Sequence, residues 1–170
     1  MRVLYILLVL FLFASCVQKK KEPIDFMNDD FPEIASNLPD APRWVNDKEG
    51  ILTEAEEDSI NKLCEQIFNT TGHMPMVHTI GDFSPYENLN DYTNAIDAMW
   101  ADAGQKYFIL IVSDILMEIR IIHGEKTEGM LSPDFTDIVL QNDVYPEFRE
   151  DHYFTGIMNA LHTYLVTLKK

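Results

Sequence analysis

The sequence predicts an α/β protein, specifically a three-layer α/β/α sandwich with a small mixed sheet. Three observations support this prediction: a capped amphipathic helix, a later strand that is apolar on both faces, and a tight hairpin formed by that strand. Because each element has an apolar face to bury, a sheet covered by helices on both sides is the simplest packing. The predicted order is helix, strand, helix, strand, strand, helix, helix.

The first predicted helix begins at a capping box, Thr53-Glu54-Ala55-Glu56. The Thr53 hydroxyl can accept a hydrogen bond from a backbone N–H while Glu56 reaches back to the cap. Residues 70–72 end the helix, and residues 74–80 predict the first strand. Apolar side chains recur at helical spacing and form one buried stripe, which consists of Ile60, Leu63, Cys64, Ile67 and Phe68.

The remaining elements are predicted from the periodicity of apolar residues and from residues that typically begin or end helices and strands. Residues 91–100 predict a second helix, and the continuous apolar run over residues 107–112 is typical of a strand buried on both faces. A very short connection leads to a strand over residues 116–122, so these two strands form a hairpin. A Ser-Pro helix start predicts a helix over residues 132–144, and the last helix covers residues 152–169.

The N-terminus is typical of a removable bacterial lipoprotein signal. Residues 3–13 are apolar, but a helix of this length rises only about 16 Å and is too short to span a bilayer stably. Small residues precede Cys16, as in the lipobox, although Phe13 replaces the usual Leu. We predict a signal over residues 1–15 and lipid attachment at Cys16. An ordinary signal, or a short anchor that happens to contain a cysteine, is the alternative.

The rest of the chain divides into a tether and one domain. Residues 16–43 are predicted to be the lipidated N-terminus and a flexible tether, because their prolines remove backbone donors and disfavour helix. Residues 44–170 form the predicted domain. The residue after the lipidated cysteine is Val17, not the aspartate that tends to retain lipoproteins in an inner membrane. We therefore expect an outer-membrane location facing the periplasm in a two-membrane cell.

The formal net charge of −15 at pH 7 excludes two classes of partner. Nucleic acid requires a basic face, and an anionic membrane surface would repel this domain. Divalent cations are natural counter-ions for an acidic surface, although solubility is the more common reason for acidity. With Cys16 acylated, Cys64 is the only free thiol and cannot form an internal disulfide, so we assign it to the core.

From Trp44 to Leu165 the sequence resembles the TPM domain family, named for a thylakoid lumen protein, a photosystem II repair protein and a nematode receptor modulator. No single motif is specific, but their order is. The ordered motifs are Val45-Asn46-Asp47 with Gly50-Ile51-Leu52-Thr53, Thr71-Gly72 with the strand to Ile80, Trp100 with Gly104, the hairpin from Ile109 to Ile122, Gly124 with Glu128, Pro146-Glu147-Phe148 and Tyr153-Phe154-Thr155-Gly156.

The resemblance implies an α/β/α sandwich and the functions associated with the family. These are divalent-cation binding, acid phosphatase activity in plant members, and assistance to membrane complexes. The motifs carry over Asp47, Asp114 and Glu128 as metal ligands, with Ca²⁺ or another divalent cation as the expected ion and no organic cofactor. The alternative for each carboxylate alone is a cap or turn residue. Two departures weaken the match: Gln105-Lys106 replaces Asn-Gly, and Ile115-Leu116 follows Asp114 where Asp/Asn-Arg is common.

Familiar catalytic motifs are missing from the sequence. Cys64 lacks the arginine that a cysteine phosphatase needs, and His123-Gly124 lacks the arginine of a histidine phosphatase. There is also no Walker loop, no Gly-x-Ser-x-Gly and no His-Glu-x-x-His. The segment from His73 to His78 contains soft ligands that suit copper. Strand alternation separates them onto two faces, so core packing is the preferred interpretation.

Two hypotheses remain. The first is a membrane-anchored, divalent-cation-binding interaction module that assists an envelope protein or complex and does not bind nucleic acid. The second is a metal-assisted acid phosphatase that acts on phosphomonoesters, for which convergent carboxylates would have to hold the metal. The sequence therefore predicts an enzyme only in the second case, and its catalytic residues stay unassigned.

Overall fold

The protein is described by a computed structural model that covers residues 44–84, 86–101 and 106–169. The predicted signal over residues 1–15, the predicted lipid attachment site Cys16 and the predicted tether lie outside these residues, as does Gly104 of the family motif. The helices and strands are β1 (Val45–Asp47), α1 (Glu54–Thr71), β2 (Met74–Thr79), α2 (Leu89–Ala101), β3 (Tyr107–Ser113), β4 (Glu118–His123), α3 (Glu125–Glu128), α4 (Phe135–Val139), a π-helical turn (Leu140–Val144), α5 (Tyr145–Phe148) and α6 (Tyr153–Leu168).

The strands form one mixed sheet in the order β1-β2-β3-β4. β1, β2 and β3 are parallel, and β4 returns antiparallel to β3. The first three strands therefore end at one end of the sheet, which we call the carboxyl end. They begin at the opposite amino end, where β4 finishes. The hairpin and the mixed sheet were predicted, but the short strand β1 was missed and had been assigned only to a motif.

Helices cover both faces of the sheet, which confirms the predicted three-layer architecture. The Tyr107 hydroxyl donates to Asp97 of α2 over 2.7 Å. The next residue, Phe108, stacks on Tyr164 of α6 with ring centroids 3.9 Å apart. Because successive strand residues point to opposite faces, α2 lies on one face and α6 on the other. Helix α1 packs against α6 and the first two strands.

Local sequence signals place the first helix as predicted. Thr53 and Glu56 form the reciprocal capping box, and the helix ends at Gly72, whose φ of 71° is the left-handed conformation that glycine adopts without a steric penalty. Cys64 is fully buried in the helix stripe, and burial raises the pKa of its thiol. The core assignment of this cysteine is therefore confirmed.

The predicted helix over residues 132–144 is divided in the structure. It consists of α4, the π-helical turn and α5, and it extends to Phe148. Pro146 has no N–H to donate to a carbonyl one turn earlier, and the regular pattern is interrupted just before it. Among the described helices, none has both the length and the apolar character that crossing a membrane requires.

Candidate binding site at the carboxyl end of the sheet

Three loops meet at the carboxyl end of the sheet, where β1, β2 and β3 stop. In open α/β sheets ligands bind outside the carboxyl ends of the strands, because the loops there project functional groups from a rigid frame. Two of the three predicted metal ligands, Asp47 and Asp114, lie at this end. They close the first strand and begin the hairpin turn, respectively.

Asp47 is held by its own loop. Its carboxylate accepts hydrogen bonds from the backbone N–H groups of Gly50, Ile51 and Leu52, at 3.0, 3.3 and 2.8 Å. The Thr79 hydroxyl donates a further bond of 2.5 Å from the end of β2. The carboxylate therefore satisfies several donors at once and fixes the loop that leads into α1. This is the turn-residue alternative that the sequence had left open.

Glu49 links the same loop to the hairpin. Its backbone N–H donates to the Thr79 hydroxyl at 3.0 Å. Its carboxylate accepts from the Ser113 hydroxyl and the Asp114 N–H, each at 2.9 Å, and from the Ile115 N–H at 3.3 Å. Sequence reasoning missed this role, because a glutamate in a polar loop gives no indication of a partner more than sixty positions later.

The Asp114 carboxylate also has a hydrogen-bond partner, which is a residue of α6. The Tyr153 hydroxyl donates a short hydrogen bond to its carboxylate. This hydrogen bond raises the pKa of Tyr153 above its ordinary value. We call Ile115, Leu116 and Met117 the hairpin tip. It is held from two sides, because Glu49 binds backbone N–H groups of the turn and Tyr153 binds the side chain of the preceding residue, Asp114.

Glu128 lies away from the other two predicted ligands. It is exposed at the end of α3, which follows β4 at the amino end of the sheet. The six residues of β4 separate it from the hairpin tip, a distance of roughly 20 Å at the usual strand rise. In residues 44–84, 86–101 and 106–169, no three His, Cys, Asp or Glu side chains lie together as a metal site. The structure thus places Asp47 and Asp114 at the same end of the sheet, after strands that β2 separates, and Glu128 at the other end.

A polar cleft of about 370 Å³ opens beside Lys48 at the carboxyl end, and we call it the Lys48 cleft. The His78 ring is part of its lining and lies between the Tyr92 hydroxyl at 2.7 Å and the Asn46 carbonyl at 3.3 Å. Since the Asn46 carbonyl can only accept, we assign the ring proton to Nδ1, and Nε2 accepts from Tyr92. The lining also includes Ile80, Gly81, Asp82 and Ser84.

Burial decides the charge of this histidine. Desolvation lowers the pKa of His78 to about 4 and raises that of Tyr92. His78 is therefore neutral at pH 7, as its hydrogen bonds require. It lies on the α2 face with Met74 and Met76, and all three are buried. Their burial confirms the core packing predicted for this segment.

A second depression, of about 190 Å³, lies beside the hairpin tip, and we call it the Tyr153 groove. Most of its lining is apolar, and the apolar or aromatic residues are Met117, Ile119, Tyr145, Phe148 and Tyr153. Four polar or charged residues also line it: Ser113, Asp114, Glu118 and Arg149.

Comparison with known proteins identifies the family of the chain. The family model of the TPM domain matches residues 45–165. The chain belongs to the TPM domain family. The match covers all four strands and nearly all of α6, so the predicted resemblance is confirmed over the range in which it was expected. No curated protein matches this chain.

Solved structures share the fold of this TPM domain. The N-terminal domain of a protein from P. gingivalis has a TM-score of 0.66 at 22% identity, over 77% of this chain and 85% of that one. The BA42 protein from Bizionia argentinensis has a TM-score of 0.62 at 16% identity, over 71% and 83%. The N-terminal domain of cg2496 from Corynebacterium glutamicum has 0.58 at 10% identity, over 78% and 84%. At these identities the likeness concerns the fold alone.

Proposed function

We propose that this TPM domain is a binding module that acts on an envelope protein or complex and is held at the membrane by lipid on Cys16. The observation that carries the proposal is that acidic side chains at the carboxyl end hold its loops in place by hydrogen bonds. Asp47 and Glu49 are both occupied in holding loops. A surface fixed in this way loses little conformational entropy on binding a partner, which favours recognition.

Site-specific photo-crosslinking in cells tests the binding role. A photoreactive residue at Ser84 or Ile115 reports on the carboxyl end, and one at Met130, which is half exposed near α3, is the matched control at the amino end. We expect one discrete envelope protein to be captured from the carboxyl end and not from Met130. Equal capture from all three positions would contradict a specific binding surface.

The anchor is tested separately. Metabolic labelling with a palmitate analogue should mark the wild-type chain and not the Cys16→Ala variant. The Cys64→Ala variant is the matched control, because this buried thiol is not expected to be acylated. Fractionation of outer and inner membranes then tests the predicted outer-membrane location. Loss of label in Cys64→Ala, or its persistence in Cys16→Ala, would refute the proposed attachment site.

For cation binding we propose a weak site at the carboxyl end that uses Asp47 and Asp114. A cation there would have to compete with the hydrogen bonds from Thr79 and Tyr153. We therefore expect a dissociation constant for Ca²⁺ on the order of 10⁻³ M or weaker. Calorimetry of the wild type and of Asp114→Asn tests this site, with Glu128→Gln as control. Heat that is lost only in Glu128→Gln would place the cation elsewhere.

Phosphatase activity is the second candidate, and the Lys48 cleft is the observation that favours it. A lysine ammonium and the Ser84 hydroxyl border a cleft large enough for a small phosphomonoester. Hydrolysis of p-nitrophenyl phosphate with added Mg²⁺ should then fall in Lys48→Met and Ser84→Ala but not in Glu128→Gln. An activity that is absent from the wild type, or unchanged in the cleft variants, would remove this candidate.

A further inference from the structure

We infer that the hairpin tip and the Tyr153 groove together form the docking surface for a protein segment that carries an apolar anchor flanked by basic residues. This inference rests on the proposed binding function and deepens it, because it names the surface and the chemistry of the partner.

The hairpin tip exposes more apolar surface than the fold requires. The side chain of Met117 is 91% exposed and that of Ile115 is 71% exposed, the two highest values among the large apolar residues described. Met117 also adopts a φ of 52°. A non-glycine residue costs on the order of 1 kcal/mol in this left-handed conformation. Met117 closes the hairpin turn, where its N–H donates to the Asp114 carbonyl at 3.0 Å, at a position that glycine commonly occupies. The chain therefore exposes an apolar side chain at a position where glycine would avoid the backbone cost.

The adjacent groove has the size and lining of a side-chain pocket. Its volume of about 190 Å³ is well below the roughly 300–1,000 Å³ of sites that enclose a whole small ligand. The rings of Tyr145, Phe148 and Tyr153 provide its apolar surface, and Phe148 and Tyr153 pack edge to face with centroids 5.0 Å apart. One aliphatic or aromatic side chain of a partner fits this space and would contact Met117 there.

Charge decides which occupant the surface favours. Asp114 and Asp151 are exposed beside the groove, against one exposed arginine, Arg149. A second copy of the chain would bring these carboxylates together in a protein of net charge −15. An anionic lipid surface would be repelled for the same reason. A protein segment with lysine or arginine beside its apolar anchor is complementary to both the apolar lining of the groove and the acidic residues beside it.

The tip is preorganised for such contacts. Glu49 fixes the backbone N–H groups of Asp114 and Ile115, and Tyr153 fixes the Asp114 carboxylate. The Leu116 N–H donates to the Ser113 hydroxyl at 3.1 Å. Little of the turn has to be ordered on binding, so the apolar side chains at its tip can serve as anchors.

Binding of synthetic probes to the full-length chain tests the inference. The first probe is a fluorescent lysine–leucine peptide with one central phenylalanine. The second replaces its lysines with glutamate, and the third replaces its apolar residues with serine. Vesicles of phosphatidylcholine with phosphatidylglycerol form a separate arm. We expect the first probe to bind more tightly than the other two, and the vesicles to show no affinity that depends on the tip.

The variants separate docking from folding. Met117→Gly removes the side chain and relieves the positive φ, so its thermal midpoint should equal or exceed that of the wild type while affinity for the first probe falls roughly tenfold or more. Asp151→Asn should weaken binding of the first probe and keeps a residue that tolerates the positive φ at this position. Arg149→Glu should strengthen binding of the first probe. Met130→Ser, at a half-exposed apolar residue near α3, is the control and should leave affinity unchanged.

The outcomes distinguish this inference from the proposed function. Equal affinity of wild type and Met117→Gly for the first probe would overturn the docking surface, as would equal affinity for all three probes. Vesicle binding that is lost in Met117→Gly would overturn it in favour of a lipid contact. If cellular crosslinking from Ser84 succeeds while one from Met117 captures nothing, the docking surface is wrong but the binding role stands. Capture from neither position refutes the binding role.

Discussion

The two ends of the sheet satisfy their polar groups in different ways. At the carboxyl end, charged Asp47 and Glu49 accept hydrogen bonds from backbone N–H groups and hydroxyls. At the amino end, the His123 ring is hydrogen-bonded to the Tyr164 hydroxyl of α6. Desolvation lowers the pKa of His123 to about 4, so this imidazole is uncharged at neutral pH.

The difference extends to unsatisfied groups. In the described part of the chain, two buried side-chain atoms have no hydrogen-bond partner, His73 Nε2 and Thr127 Oγ1, and both lie at the amino end. The buried Thr79 hydroxyl at the carboxyl end both accepts and donates. The carboxyl end is therefore the part whose geometry is specified by directional bonds. This contrast is what one expects if the carboxyl end has to present a fixed surface.

The largest expected effect comes from removing the charge that organises the carboxyl end. Asp47→Ala leaves three loop N–H groups and the Thr79 hydroxyl without their acceptor. We expect the free energy of unfolding to fall by about 3 kcal/mol. Urea denaturation measures the change, and Glu128→Ala, an exposed acid at the amino end, should change stability by less than about 0.5 kcal/mol. Equal losses in the two variants would abolish the contrast between the ends.

A second expected effect is a loss of stability on mild acidification. The pKa of His78 and that of His123 are each lowered to about 4 by burial, whereas the unfolded value is about 6.5. Between pH 6.5 and 4 the unfolded chain binds more protons, so stability falls as pH falls through this window. By pH 5 each histidine should account for about 1–2 kcal/mol of the loss.

Replacing one histidine at a time separates the ends of the sheet. His78→Gln should remove the part of the pH dependence of the unfolding free energy that arises at the carboxyl end. His123→Gln should remove the part that arises at the amino end. His162→Gln, at an exposed position of α6, should retain the wild-type slope. Urea titrations from pH 7 to 5 give these slopes. If His162→Gln flattened the curve as much as either buried histidine, burial would not be its cause.

Structural features that depend on residues close together in the chain could be predicted from the sequence, and features that depend on distant contacts could not. The Thr53–Glu56 capping box, the Gly72 helix end and the hairpin are encoded within a few residues, and all were predicted correctly. β1 was missed because three residues carry no detectable periodicity, and its pairing is provided by β2. The π-helical turn before Pro146 was missed because a single regular helix was assumed.

The candidate site shows the same limit. The position of Asp114 follows from the predicted hairpin, and the structure places it at the carboxyl end. Asp47 lies at the same end, but its position was not predicted, because β1 was missed. The predicted hairpin already implied that a residue after its second strand, such as Glu128, lies at the other end of the sheet. The role of Glu49 was not available, since it depends on contacts between residues 64 to 66 positions apart.

A third prediction concerns the hydroxyl that joins two loops. Thr79→Val keeps the shape of the side chain but removes an acceptor for the Glu49 N–H and a donor to Asp47. Thr79 is fully buried, so we expect a loss of about 2 kcal/mol. Hydrogen exchange at the Glu49 and Ile115 amides should accelerate at the same time. Unchanged exchange at both amides would show that Thr79 does not couple the loops.

The smallest expected effect comes from the same substitution at the amino end. Thr127 is fully buried in α3, and its hydroxyl has no partner among the described residues. Thr127→Val replaces that hydroxyl with a methyl group of similar shape, and the folded protein no longer buries an unsatisfied donor. We expect stability to be unchanged or to rise by up to about 1 kcal/mol.

Comparing Thr79→Val with Thr127→Val by urea denaturation tests the contrast under matched chemistry. Both residues are threonines of zero exposure, and both lose the same atoms. A difference of about 2 kcal/mol or more between the two variants would mean that directional bonds specify one end of the sheet and not the other. If Thr127→Val were as destabilising as Thr79→Val, the amino end would have to contain a hydrogen bond of equal value, and rigidity at the carboxyl end would no longer distinguish it as the binding surface.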